Sequence, residues 1–432
     1  MTTSKTKTEF SVFEPAPTRV EPPKPDPVGP VQRNKISIFI LLAIGLLALI
    51  YNVNSLNAGI EQGLYFGVLF LIGLGLGVAL FHSRFGFTSA WRQLVAVGNG
   101  KGLRNHALLL GTTATIFMLL FTTGWGAFGN EPTPYAGTIG VGLLLGAFIF
   151  GMGMQLGGGC ASGTLFAVGS GQSMVIPTLI GFIAGSIIYT APFFYPLVSD
   201  LPGMEPVLLS DHVGYVGGWA ITIAVLLVIV AITRVVQGRR NPPPTGNPPT
   251  ARGAARILRG SWPMWVGALV LAVLGGAVMW VSGGIWGITN AFALWGAKVL
   301  QFIGFQPETW EFWQQENWAA MLEGSVLSHK NSLTNFGIMI GAALAATAAG
   351  TWAFARNINW RQAGIAVLGG ILMGIGARLA EGCNIGAYLG GIASGSVSGW
   401  LWAVAALAGT WAGLKARALF GMDNPKPTDL VC

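Results

Sequence analysis

The sequence predicts an all-α polytopic membrane protein, with about ten transmembrane helices in two inverted repeats that also carry re-entrant short helices. Three observations carry that expectation. Of 432 residues, 52% are hydrophobic and only 9% charged, with a mean hydropathy of +0.61, where a soluble chain carries about 25% charged residues. Long uncharged stretches recur at the length that crosses a bilayer, roughly 20 residues. Two glycine-rich segments, each centred on a cysteine, occupy matching places in two halves of the chain.

Residues 1–35 hold Pro, Lys, Thr and Glu without an apolar stretch and read as a disordered cytoplasmic tail. Membrane helices are expected at 36–53, 64–81, 107–123, 137–156, 174–192, 214–235, 263–282, 333–355, 361–380 and 397–416. The stretch 132–199 contains no charge and no histidine over 68 residues. That is too long for two helices alone and too short for three with loops, so a broken, re-entrant segment is expected between two helices. A Pro/Arg-rich cytoplasmic linker at 237–262 divides a first membrane half (36–236) from a second (263–420), and 421–432 reads as a short cytoplasmic tail.

The formal charge of +8 is distributed as a membrane protein distributes it, which argues against nucleic-acid binding. Arg84, Arg92, Lys101 and Arg104 fall in one short segment, six arginines from Arg234 to Arg259 in and beside the linker, Arg356 and Arg361 at a later turn, and Lys415 and Arg417 at the last helix end. Counting ten helices puts all of them on one side. Glu131, Asp200, Glu205, Asp211, Glu308, Glu311, Glu316 and Glu323 fall on the other. The expected placement is the inner membrane with both termini cytoplasmic.

The halves echo each other. GMGMQLGGGCASGTLFAVGSG (151–171) and GIGARLAEGCNIGAYLGGIASGS (374–396) each follow one apolar helix and precede another, and RNHALLLGTTA (104–114) resembles LTNFGIMIGAALA (333–345) in placement. Each repeat should hold four helices and two re-entrant segments. The helices at 36–53 and 214–235 are extras, the second producing the inversion. Such repeats, with broken helices meeting near mid-membrane, recur in transporters.

Gly158, Gly159 and Gly163 in the first segment, and Gly382 and Gly386 in the second, can bare backbone N–H groups to a cavity. A short helix starting there points its positive end at the occupant. Ser162 and Asn384 add polar side chains, and Cys160 and Cys383 add soft thiols with a weak S–H donor. Together they suit an anion carrying a terminal sulfur. The competing reading is packing, since cysteine is a common small buried residue and glycines pack helices in lipid. Two matching segments, each centred on the only internal cysteine of its half, weigh against it.

Arg84 and Arg92 flank the first re-entrant segment, either gathering anions at the cytoplasmic mouth or anchoring the chain. Arg378 and Glu381, beside Cys383, are expected to form a local ion pair, with Arg378 tuning anion affinity. His82, His106, His212 and His329 share no metal-like spacing, and three cysteines, Cys432 among them, are too few for a disulfide framework, so no metal and no cofactor is expected. WEFWQQENW (310–318) reads as an interfacial aromatic helix on the periplasmic side. No G-x-x-x-x-G-K-[ST] loop is present, which argues against direct ATP use.

SRFGFTSAWRQL (83–94), the first cysteine segment, and GGILMGIGARLAEGCNIGAYLGGIASGSVSGWLW (369–402) resemble the YeeE/YedE sulfur-transport family. The resemblance implies an hourglass-shaped inner-membrane protein whose re-entrant helices meet at a constriction. It also implies thiosulfate uptake, with the thiols at Cys160 and Cys383 hydrogen-bonding the substrate in passing. The first motif departs: family members carry cysteine where this chain has Gly86, so a three-thiol relay is not available. Some relatives are associated with selenium, and a related selenium or sulfur species stays open as substrate. Two further readings remain: a membrane sulfurtransferase or thiol oxidoreductase handling sulfane sulfur, and docking of a cytoplasmic TusA-like sulfur carrier as a separate partner chain.

Overall fold

The computed structural model describes residues 24–354 and 359–431. The expectations placed on residues 1–23, Arg356 and Cys432 lie outside them. In the first half run α1 (Arg33–Ala58), α2 (Ile60–Ser83), a short α3 (Phe87–Val97), α4 (Lys101–Thr123), α5 (Val141–Gly157), a short α6 (Ala161–Gly169), α7 (Ile176–Thr190), the single turn α8 (Tyr195–Val198) and the long α9 (Ser210–Arg240). After the turn α10 (Arg256–Arg259) come α11 (Met264–Ser282), α12 (Thr289–Phe302), the small α13 (Glu311–Gln314) and α14 (Glu316–Glu323), α15 (Lys330–Ala348) and α16 (Trp360–Leu379). A π-helical turn (Asn384–Gly390) runs into α17 (Gly391–Ala393), and α18 (Val397–Leu419) follows. The two strands, β1 (Ile139–Gly140) and β2 (Gly203–Met204), form a two-residue antiparallel pair.

This is an all-α, multi-pass membrane protein: among the described residues, nine helical stretches are long and apolar enough to cross a bilayer. The tenth expected span is α15, which falls short on hydropathy for a physical reason. It is wrapped by α1, α2, α6 and α12, so its polar residues are met by protein rather than lipid: Asn335 Nδ2 donates to the Ile288 carbonyl (3.1 Å) and Ser332 Oγ accepts from Trp295 Nε1 (2.9 Å). α15 also ends at Ala348, short of the expected 355.

Packing partners repeat between the halves as a two-fold relation requires. α2, α3, α4, α5, α6 and α7 correspond to α11, α12, α15, α16, the Asn384–Ala393 segment and α18. Accordingly α7 packs on α16 as α18 packs on α5, α2 on α15 as α11 on α4, α12 on α7 as α3 on α18, and α6 on α15 as α17 on α4. The pairs α5–α16 and α2–α11, and the contact of α6 with the π-turn, map onto themselves. α12 takes the place of the first re-entrant segment expected in the second repeat, whose bounds cannot be read from the sequence because Gly283, Gly284 and Gly287 interrupt the apolar run before it. The two helices outside the repeat are peripheral: only 11% of the apolar stretch of α1 and 17% of that of α9 are buried, against 61% for α16.

Three further features differ from expectation. α5 starts at Val141 rather than 137, since Pro132 and Pro134 hold the preceding chain extended and Gly140 pairs with Gly203. WEFWQQENW is not one interfacial helix. Extended backbone at Gln315 splits it into α13 and α14, and Phe312 and Trp313 are buried. Residues read as tail are tied down from Asp26 onward: Asp26 O accepts from Thr250 N (3.0 Å), Gly29 O from Arg259 Nη2 (2.6 Å), and α1 begins at Arg33.

Candidate functional site

Both cysteines sit at the same kind of break. α5 stops at Gly157 and Gly158 turns the chain through a left-handed conformation (φ 78°); α16 stops at Leu379 and Glu381 does the same (φ 54°). A left-handed residue ends a helix because it cannot continue the ladder. In each case it stands two residues before the cysteine. Cys160 and Cys383 are then extended (ψ −174° and −168°) and stand at the N-cap of the segment that follows. Each therefore presents its sulfur beside the unpaired N–H groups of a helix start.

The two segments meet. α6 packs directly on the π-turn, both thiols are 1% exposed within one core cluster, and they are close enough to interact electrostatically. The Cys160 sulfur lies 3.5 Å from Ser162 Oγ, and a Cβ at Gly163 would sit in contact with it at 3.4 Å. The amides of Ile385 and Gly386 face the Cys383 sulfur. A Cβ at Gly158 would meet nothing within 4 Å, and one at Gly386 nothing nearer than 3.9 Å, whereas one at Gly382 would lie 2.8 Å from the Ala387 amide and one at Gly159 3.4 Å from Thr164. Around the thiols are polar atoms with no partner among the described residues: Asn384 Nδ2 and Oδ1, with the side chain fully buried, and Thr164 Oγ1. Buried polar groups are nearly always paired, so an amide left open at both ends stands out.

Arg378 is buried at the end of α16, and the expected ion pair with Glu381 is absent among the described residues. Its Nη2 donates instead to Thr289 Oγ1 (2.8 Å) and Asn290 Oδ1 (2.7 Å) in the first turn of α12, and Trp318 of α14 lies over the guanidinium at 5.4 Å. The exposed Glu381 accepts from Thr138 N (3.3 Å) through its carboxylate and from Tyr135 OH (3.1 Å) through its carbonyl. The reason is geometric: Glu381 is in the left-handed turn, so its side chain leaves the helix face that carries Arg378. The guanidinium thus keeps its charge among neutral partners. Arg84 stands apart. It caps α2 in an exposed left-handed conformation, in a small cleft with His82, Arg259 and Thr351, and makes no hydrogen bond to either cysteine segment.

Below the thiols, Tyr388 of the π-turn packs between Phe87 and Trp91 of α3 and Trp402 of α18, so the first motif touches the third. Gly86, at the N-cap of α3, is extended (φ −136°), and a Cβ there would meet the rotatable Ser89 hydroxyl at 3.0 Å and the Arg84 carbonyl at an ordinary 3.9 Å. Gly86→Cys is therefore expected to fold at the wild-type level and to add a thiol. Membrane yield and thiol counting under denaturing conditions check both. Sequence reasoning missed Thr164, Thr289 and Asn290. Thr164 had a signal, lying one turn beyond Cys160. The other two belong to α12, which was not read as a helix.

Two breaks of one design, converging across a pseudo-two-fold on unpaired polar groups inside a multi-pass bundle, are the architecture of a membrane transporter. The chain belongs to the sulphur transport family, whose model matches residues 82–412. It is similar to the thiosulfate transporter TsuA of Spirochaeta thermophila, 26% identical over 356 residues, covering 79% of this chain and 96% of that protein. The TsuA of Escherichia coli is likewise 26% identical, over 79% of this chain and 91% of its own. The probable transporter YedE of Escherichia coli is 33% identical across 143 residues, a third of each chain (32% and 34%).

Proposed function

We propose that this protein carries thiosulfate across the inner membrane into the cytoplasm, with both termini cytoplasmic. The observation that carries the reading is the meeting of two segments, each with a cysteine at its N-cap position, beside the unpaired Asn384 amide. Thiosulfate has a charged oxyanion end and a soft terminal sulfur. Backbone N–H groups, Asn384 and Thr164 replace part of the hydration of the first, and the S–H groups of Cys160 and Cys383 donate weakly to the second. Weak donors suit throughput, because a pathway that binds tightly does not release. Arg378, free of a carboxylate, makes the Cys383 end attractive to anions and marks it as the entrance. Support for thiosulfate also comes from the names of both TsuA relatives.

A separate TusA-like carrier would receive the sulfur at the cytoplasmic face. The test is uptake of radiolabelled thiosulfate in cells lacking other sulfur importers. Excess unlabelled thiosulfate should abolish the signal, with sulfate, sulfite and selenite competing at least about ten-fold less well. Preferential competition by selenite would transfer the assignment to a selenium species. A persulfide on Cys383 trapped by mass spectrometry would favour group transfer over passage.

A further inference from the structure

The residue five positions before each cysteine is placed alike in the two halves and differs in chemistry. In the second half it is Arg378, bonded to the first turn of α12. In the first it is Gln155, fully buried, whose Nε2 donates to the Thr88 carbonyl (3.5 Å) in the first turn of α3. Gln155 brings no charge of its own. Its Oε1 instead accepts from Arg92 Nε (2.9 Å), which sets a guanidinium at the tip of the Gln155 side chain. A second guanidinium approaches from α18, where Arg417 Nη1 donates to the Gln155 carbonyl (2.7 Å). Two cations hold the two ends of one buried residue, and they interact electrostatically.

Among the described residues, neither forms a salt bridge with a carboxylate. Arg417 donates to Asn424 Oδ1 and to the backbone carbonyl of Asp423, whose carboxylate is the one acid near it. Arg92 makes only the Gln155 bond among the described residues, so both terminal nitrogens of its fork are uncommitted. Two guanidiniums drawn together around a neutral amide repel each other, and that repulsion is relieved by an anion. Positive-inside anchoring explains a cation at the surface, but Arg417 is only 7% exposed and the residue that it and the half-buried Arg92 clasp, Gln155, is fully buried.

We propose that Arg92 and Arg417, bridged by Gln155, form a binding station for a small tetrahedral oxyanion at the Cys160 end of the molecule, opposite Arg378. As a step in transport it rests on the reading above: the anion passes from the Arg378 end, past the thiols, to a fork that receives its oxygens. Arg378 is fixed by two bonds and Arg92 by one, so the second fork can swing and release its cargo. Arginine suits this because its paired N–H groups match two oxygens at once.

The experiment uses the full chain in right-side-out and inside-out vesicles, with thiosulfate flux measured from each face. Arg92→Gln is expected to raise the half-saturating concentration about ten-fold from the Arg92 face and to leave it within about two-fold from the other, while Arg92→Lys recovers part of the loss. Equal shifts from both faces, or none, overturn the proposal. A second readout needs no transport: inorganic sulfate should raise the melting temperature of the purified wild type, and this rise should vanish in Arg92→Gln, each protein being compared with its own sulfate-free baseline. A wild type that moves no thiosulfate but keeps Arg92-dependent sulfate stabilisation sinks the transport reading and leaves the station standing. Active transport with sulfate stabilisation identical in both proteins sinks the station alone. Should Arg92→Gln fail to fold, the lysine variant carries the same comparison, and loss of face selectivity in it overturns the proposal.

Discussion

Cys383→Ala and Cys160→Ala should each lower the initial rate of thiosulfate uptake at least about ten-fold, at unchanged protein in the membrane. The folding part of that expectation follows from size: removing one sulfur from a packed site leaves a void smaller than a methylene pair, with a cost of about 1 kcal/mol. The functional part follows from position. Each sulfur stands at the start of a short segment, where the two segments touch, so an anion passing between them meets both. Without the thiol, the terminal sulfur of the substrate is dehydrated against a methyl group and gains nothing in return. Serine keeps a donor of nearly the same size, so Cys383→Ser should fall between alanine and wild type. Uptake per molecule that is unchanged in both alanine variants would remove the thiols from the mechanism.

The class of fold was legible because membrane burial writes itself into composition, and an apolar run of roughly 20 residues rarely does anything but cross a bilayer. The cysteine segments were legible because a break at membrane depth needs glycine, and the same break is spelled twice. What could not be read is whatever depends on which helix faces which. α15 carries Asn331, Ser332, Asn335 and Thr347 at buried positions, and only its neighbours show that these residues never meet lipid. Arg378 looked paired to Glu381 by closeness in sequence, yet a left-handed turn separates them and the true partners lie 88 and 89 positions away. Gln155 carries no signal in the sequence beyond its place in a glycine run. Its meaning comes from Arg92 and Arg417, 63 and 262 positions distant.

The largest effect on folding should come from a glycine far from the thiols. α16 is held between α5 and α7, and the approach is so close that its glycines touch the backbones of both. A Cβ on Gly374 would collide with the Phe182 carbonyl and lie 2.6 Å from the Ser186 amide; one on Gly376 would lie 2.6 Å from the Gly146 carbonyl. Backbone cannot rotate aside as a side chain can, so Gly374→Leu must push α7 away from α16. With it goes the contact that sets α16, and hence Cys383, against the first half. The cost should exceed about 4 kcal/mol, enough to unfold a marginally stable protein. The expected outcome is loss of the monodisperse peak when detergent extracts are run on size exclusion. Gly364, near the start of the same helix, has nothing within 4 Å of its Cβ position, and there Gly364→Ala should stabilise by about 0.5–1 kcal/mol through helix propensity alone. The pair separates a packing role from a general intolerance of substitution in α16: if both variants lose the peak, the close approach to α7 is not what holds the halves together.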